Sequence, residues 1–288
     1  MRTRLLRALC VALLCGAWAG AETLDEAVAR LTKAAAETRD VTIKYTVKGI
    51  SKTMMRPAPA PFSGAMEFQM LHDGGKTLLR LAGSLTIEEP GKEEGAPPTK
   101  RERKLLSIND GQFIWTERPR GKSGILICEK SLPSARQGLG EGSVSGPIEG
   151  AYAAAGLKGH FEVFQHAHDI TVGAKGAVAG RPTTVFNFSL KPEEAEKLKE
   201  ARGQLPPAKM VAELDDATGA TLVVKWANAD AAEEAQWDLT ATEVKANSGL
   251  DKKLFTYTPP EGMQFFDRTQ PPEKSAVPKP PEAEKREQ

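Results

Sequence analysis

LDKKLFTYTPPEGMQFFD, residues Leu250 to Asp267, couples a short aromatic segment to a Pro-Pro-Glu-Gly turn and a second aromatic segment. Leu254, Phe255 and Tyr257 are β-formers, so a strand is expected there. Pro259 and Pro260 fix φ and withdraw two backbone donors, which stops that strand and sets it at or near a sheet edge. With the aromatic residues after the turn it is expected to form a closing strand pair.

Upstream of this stretch the period-two pattern is clear. Met210 to Leu214, the turn Asp215 to Gly219, then Leu222, Val224 and Trp226 read as a hairpin, and Trp237, Leu239 and Ala241 continue the alternation. Val41, Ile43, Tyr45 and Val47 alternate with Thr42, Lys44, Thr46 and Lys48, so that strand has one apolar and one polar face. Phe62, Met66, Phe68 and Met70 share a face. Leu79 and Leu81 follow the turn His72 to Gly75, and a further strand carries Leu85 and Ile87. Leu105 to Ile108, Phe113 to Trp115 and Ile125 to Cys128 extend the meander, and Glu162 to Ile170 and Thr183 to Leu190 resume it. Leu24, Val28, Leu31 and Ala35 recur at helical spacing behind Thr23 and Asp25, predicting one amphipathic helix ahead of the first strand. A run of strands without intervening helices argues against a βαβ architecture.

Two segments break the pattern. Glu89 to Lys104, EPGKEEGAPPTKRERK, reads as a solvated loop with KRERK as surface charge. Leu132 to His160 is Gly-rich, then Ala-rich, and reads as a loop with short helices covering one sheet face. Glu193 to Arg202 reads as a helix or a charged turn. From Thr269 the composition is that of a disordered tail. The expected organisation is a segment 1–21, one domain over 22–268 with insertions near 89–104 and 132–160, and a tail over 269–288.

Residues 1–21 have a basic start (Arg2, Arg4, Arg7), a short apolar run and small residues around Ala19 to Ala21, the pattern of a cleaved secretory signal peptide and hence of a periplasmic or secreted protein. The run is shorter than the roughly 20 residues a membrane span needs. The chain has 39 Lys and Arg against 38 Asp and Glu; without the three arginines the count is 36 against 38, a formal charge of about −2. Neither nucleic acid nor an anionic membrane surface is indicated. Cys10 and Cys15 leave with the signal. Cys128 then stands alone, expected buried in its strand, with no intrachain disulfide.

The signal segment, single helix and meander, with ELDDATGATLVVKW, the Asn247 to Leu250 step, NDGQFIWTERP, VAGRPTTVFNFSL and the closing aromatic stretch, resemble the LolA-type lipoprotein carriers, the LolA/LolB half-barrels. The resemblance implies a mainly β (α+β) fold. A single curved antiparallel sheet forms an open, unclosed β-barrel wrapped around an N-terminal helix and short covering helices. It also implies a non-enzymatic carrier of lipid or lipoprotein acyl chains in outer-membrane lipoprotein sorting, acting as a monomer without cofactor. Its implied partners are the acyl chains, an inner-membrane release complex and an outer-membrane acceptor.

Such a sheet leaves a concave apolar surface larger than one helix covers. The side chains expected to line it, by alternation, are Phe62, Met66, Phe68, Met70, Leu79, Leu81, Trp115, Phe186, Phe188, Leu222, Val224 and Trp226. A one-residue register error inverts a strand's assignment. Met54 and Met55 suit the same role through their flexible thioethers, or serve as ordinary core. The resemblance makes Arg80 the counterpart, by position, of an arginine that holds a helical lid.

Two other readings stand beside the carrier. A regulatory domain on the same fold would sense envelope signals and bind a membrane protein. A metal-dependent enzyme would be centred on His166 and His168, whose His-x-His spacing puts two imidazoles on one strand face. The pair lacks a defined third ligand, so no metal is expected. Gly138 to Gly142 lacks the dinucleotide spacing, and Gly142 to Gly146 is not a nucleophile elbow.

Overall fold

The computed structural model describes residues 22–53, 56–89, 91, 97–120, 125–131, 165–200, 208–227 and 237–269. The expected signal segment, Met54 and Met55, the segment from Leu132 to His160, and the tail from residue 270 lie outside them.

Helix α1, Leu24–Glu37, starts where the sequence places a cap. Glu26 N–H donates to the Thr23 hydroxyl at 3.3 Å and the Glu26 carboxylate accepts from Thr23 N–H at 2.9 Å, a reciprocal capping box. Its Ala27 and Leu31 are fully buried against the sheet.

Twelve described strands form one sheet. They are β1 (Asp40–Thr53), β2 (Arg56–Asp73), β3 (Lys76–Glu89), β4 (Thr99–Asn109), β5 (Ile114–Arg120), β6 (Ile125–Ser131), β7 (His168–Val178), β8 (Arg181–Leu190), β9 (Lys209–Asp215), β10 (Thr221–Ala227), β11 (Trp237–Ala246) and β12 (Gln264–Asp267). Their order is β12-β6-β5-β4-β3-β2-β1-β11-β10-β9-β8-β7. Every neighbouring pair is antiparallel except β12 with β6. β12 and β7 are the two ends of the order, so the sheet is an open half-barrel. Gly64 and Gly83 let it bend, because a Cβ on either would collide with the backbone of the facing strand. Tight turns and α1 gather at one end of the strands, the near end. β1, β3, β8 and β10 end at the opposite, far end, where β2, β4, β9 and β11 begin.

Several sequence expectations are corrected. Leu254 and Phe255 belong to a 3-10 turn, Lys252–Phe255, whose start is held by the Asp251 carboxylate accepting from Lys253 N–H at 2.9 Å. Phe255 is buried against Leu71 and Leu78 instead of alternating on a strand. After the Pro259-Pro260 turn the chain does not fold back on itself; it crosses to the sheet edge and pairs β12 parallel to β6. KRERK is not loop: residues 100–104 lie within β4 and pair with β3. β3 is one continuous strand through Leu85 and Ile87, not two. Gln165 to Ala167 is a turn, and β7 runs on to Val178. Of the two readings of the segment after Pro192, the helix is the one observed: Pro192–Glu200 forms α2.

The corner joining β11 to the C-terminal segment is fixed by Asp40. Its carboxylate, 1% exposed, accepts from Ser248 N–H at 2.8 Å, the Ser248 hydroxyl at 3.0 Å and Gly249 N–H at 3.1 Å. Asn247 N–H donates to the Asp40 carbonyl at 2.8 Å, and the Asn247 side chain accepts from Arg39 N–H at 2.8 Å. Gly249 has φ +80°, a conformation that suits glycine here.

Candidate functional site

Two registered rows of side chains cross the inner face of the sheet toward its far end. One runs Ile87, Phe62, Gly49, Trp237, Trp226, Met210, Phe188, Ile170 from β3 to β7. The next runs Leu85, Gly64, Val47, Leu239, Val224, Ala212, Phe186, Val172 over the same strands. Neither row contains a charged residue between β3 and β8. Six inter-strand spacings make this apolar band about 29 Å long along the curve. Behind it, toward the near end, lie Met66, Tyr45 and Ala241, then Leu81, Phe68 and Ile43, then Leu79, Met70 and Val41.

The far end of the band is aromatic. Trp226 and Trp237 stack at 5.1 Å with 10° between their planes, and Phe62 meets Trp237 at 5.3 Å. Trp226, Ile87, Ile170 and Val172 are half-buried, whereas Phe186, Phe188, Met210 and Val224 are buried. The near end is closed by α1. Gly219, at φ +66°, passes so close under the helix that an added Cβ would lie 2.5 Å from the Leu31 carbonyl oxygen. The Tyr45 hydroxyl donates to the Thr221 carbonyl at 2.6 Å, and burial raises its pKa.

An ion-pair cluster ties α1 to the β7–β9 corner. Arg30 donates to Glu22 at 2.7 and 3.0 Å, to Asp216 at 2.9 Å and to the Thr184 hydroxyl at 2.7 Å; Lys175 Nζ lies 3.2 Å from Glu22. The bonds from Arg30, with Lys175 adding to them, hold the Glu22 carboxyl down to about 2. Arg181 pairs with fully buried Asp215 at 2.8 Å.

Of the twelve residues expected inside, Phe62, Met66, Phe68, Met70, Leu79, Leu81, Phe186, Phe188, Leu222, Val224 and Trp226 lie together in or against one core. Leu222 reaches it through an irregularity in the β9–β10 register between Thr221 and Val223. Trp115 does not join them. It sits opposite Ile108 on the outer face, 5.5 Å from the Tyr257 ring and 6.1 Å from Phe265, and its indole N–H donates to Asp110 at 2.8 Å. The outer face is apolar there because the C-terminal segment crosses it. Cys128 is buried nearby, where desolvation pushes its thiol up; the Tyr257 hydroxyl donates to Glu117 at 2.6 Å. Arg80 also lies on the outer face, donating to Gln69 at 3.0 Å, with Glu67 at 3.6 Å, and these described partners belong to a strand, not a helix.

His166 and His168 do not share a strand face. His166 is exposed in the turn before β7, while His168 opens the strand and is 2% exposed. Among the described residues no group of three His, Cys, Asp or Glu side chains comes within reach of one metal ion. A shallow outer-face cavity of about 310 Å³ lies over Lys44, Thr46, Ala65, Glu67, Ala82 and Thr242.

The two arginines that end the apolar rows carry a signal the sequence reading missed. Arg101 pairs in register with Ile87, and Arg103 with Leu85, so both stand on the inner face. Alternation of Arg101, Arg103 and Leu105 within KRERKLL was the available sign.

No family model and no curated protein matches the chain. Among solved structures it is similar to MucB in the MucA/MucB complex of Pseudomonas aeruginosa (TM-score 0.43, 12% identity, 81% of this chain and 60% of that chain). It is also similar to a domain named for outer-membrane lipoprotein sorting from Vibrio parahaemolyticus (TM-score 0.31, 11% identity, 80% and 94%). A third is a LolA superfamily protein from Nitrosomonas europaea (TM-score 0.24, 11% identity, 82% and 98%). The chain spans about three-fifths of the MucB chains it matches. At these identities and TM-scores the similarity, to LolA superfamily proteins included, is one of fold alone.

Proposed function

We propose that this chain is a non-enzymatic binder or carrier of lipid acyl chains in the cell envelope, holding hydrocarbon against the inner face of its half-barrel. The observation that supports this reading is the apolar band itself. Seven neighbouring strands, β3 to β8, present two adjoining rows without a charge, ending in an aromatic cluster at the far end. Most of the band's side chains, among them Phe186, Phe188, Val224 and Leu239, are themselves buried, so hydrocarbon would be met first by the part-exposed Ile87, Trp226, Ile170 and Val172, where each methylene taken from water contributes up to about 0.8 kcal/mol. The band is long enough for an acyl chain, since one leaflet's hydrocarbon is about 15 Å deep, half the bilayer core.

The test is displacement of an apolar fluorescent dye, N-phenyl-1-naphthylamine, by a long-chain lipid. Trp226→Asp places a carboxylate in the band at a half-buried position and is expected to weaken dye and lipid binding at least tenfold. Arg80→Ala, on the outer face, is expected to leave both unchanged. Equal binding by a folded Trp226→Asp protein and the parent contradicts the proposal.

A further inference from the structure

Among the described residues three large apolar side chains are exposed, Leu126, Leu254 and Phe265, and Phe265, at 45%, is the most exposed of them. Leu126 and Phe265 share the outer face at the β6–β12 edge: Phe265 is in register with Cys128, and Leu126 precedes Cys128 by two residues on β6. The Phe265 ring stacks on Trp115 with 29° between their planes. Trp115 in turn meets Tyr257 and, edge to face at 6.4 Å, Phe113. The Lys130 ammonium stands 3.8 Å above the Phe113 ring. Phe113, Trp115 and Tyr257 are half-buried, so this aromatic strip keeps an open flank although the C-terminal segment already crosses it.

The chain leaves β12 beside the strip. Arg268 N–H donates to the Lys130 carbonyl at 2.8 Å, and the Asp267 carboxylate lies 4.0 Å from the Lys130 ammonium. Asp267 stands on the same face as Phe265 and accepts from Thr269 N–H at 2.8 Å and from the Thr269 hydroxyl at 2.5 Å. Such a side-chain turn draws the exit toward that face. The sequence that follows, Gln270 to Gln288, is QPPEKSAVPKPPEAEKREQ, with prolines at Pro271, Pro272, Pro278, Pro280 and Pro281.

We propose that this proline-rich segment docks in cis on the aromatic strip, its prolines laid in polyproline II form against Phe265 and Trp115. Fixed φ keeps such a segment extended at little entropic cost, and aromatic-lined surfaces are what proline-rich segments recognise. The reach is ample. At about 3.1 Å per residue, Pro271 to Pro281 spans about 31 Å. Phe265 on β12 and Trp115 on β5 are two strand spacings, about 10 Å, apart. The tether selects this occupant over others. A segment held a few residues away has an effective concentration on the order of 1 mM, so a contact with a dissociation constant of about 1 mM is half-formed in cis. A free partner of equal affinity competes only at a similar concentration. The strip lies on the face opposite the apolar band, so the inference stands apart from the acyl-binding reading.

Hydroxyl-radical labelling, read by mass spectrometry, compares the full chain with one ending at Thr269. The shorter chain is expected to label Phe265 and Trp115 about twofold faster, as half-occupancy requires, with Trp226 unchanged. Pro271→Ser/Pro272→Ser/Pro278→Ser/Pro280→Ser/Pro281→Ser keeps the segment's length and charge and should label like the shorter chain. A peptide of residues 270–288 at millimolar concentration should slow labelling of the shorter chain again. Equal labelling of Phe265 and Trp115 in the two chains overturns the docking, and so does protection that persists in the proline variant. Protection that rises with protein concentration assigns the strip to the segment of a second copy and overturns docking in cis.

Discussion

Asp40→Ala is expected to release the C-terminal segment from the near end of the sheet. The Asp40 carboxylate is buried and accepts three hydrogen bonds, from Ser248 N–H, Ser248 hydroxyl and Gly249 N–H, at 2.8 to 3.1 Å. Hydrogen bonds to a charged group contribute about 1.5 to 3 kcal/mol each, but Ser248 and Gly249 are exposed, so water replaces part of what is lost. The net cost is about 3 kcal/mol. In a domain of this size that lowers the Tm by about 6 to 12 °C. The effect is also local. Beyond the corner the chain is held by Phe255 against Leu71 and Leu78, and by β12 along β6. Amide hydrogen exchange should therefore accelerate in Lys252–Phe255 and β12 before it does in β8 to β10. A loss below about 1 kcal/mol in denaturant unfolding, or exchange that rises uniformly, would refute the assignment of Asp40 as the clamp of this corner.

Gly219→Ala forces a side chain onto a left-handed backbone and against the Leu31 carbonyl; unfolding should show a loss of about 2 kcal/mol or more, and a change within 0.5 kcal/mol would show that α1 does not seat there. The Glu22 carboxyl is held down to about 2 by Arg30, so its contribution is present above the ordinary value of 4.5 and is lost as pH falls from there toward about 2. Glu22→Gln should flatten the stability profile in that window and not near neutrality; an unchanged acid slope would count against the ion-pair cluster.

Much of this architecture is legible in the residues. Thr23 and Glu26 state the start of α1, and the alternation of Val41 to Val47 states which side is apolar, because Lys44, Thr46 and Lys48 on the other face of β1 are exposed or part-exposed. The reading fails where both faces are covered. β4 and β5 carry apolar residues on both sides, Leu105 inside and Ile108 and Trp115 outside, since the C-terminal segment overlies the second face. Alternation then has nothing to contrast with, and the largest side chain, Trp115, is drawn to the wrong side. The same tertiary contact explains Phe255: a β-former in isolation, it takes a 3-10 turn because the Leu71–Leu78 pocket buries it completely. Parallel pairing of β12 with β6 joins segments far apart in sequence and leaves no local trace. KRERK is charged on both faces and still forms strand, because residues 100–104 extend β4 in register with β3 and meet acidic partners across it, Lys100 with Glu88 at 3.2 Å and Arg101 with Glu89 at 3.9 Å.

The most direct test of an acyl chain on the inner face is quenching of tryptophan fluorescence by a lipid brominated along its chain. Trp226 and Trp237 lie in the band and Trp115 on the opposite face, so the chain's location is read from which ring is quenched. Strong quenching is predicted for the parent and for Trp115→Phe, and its loss for Trp226→Phe/Trp237→Phe. Quenching that persists in the double variant and vanishes in Trp115→Phe would place the lipid on the outer face and contradict the account.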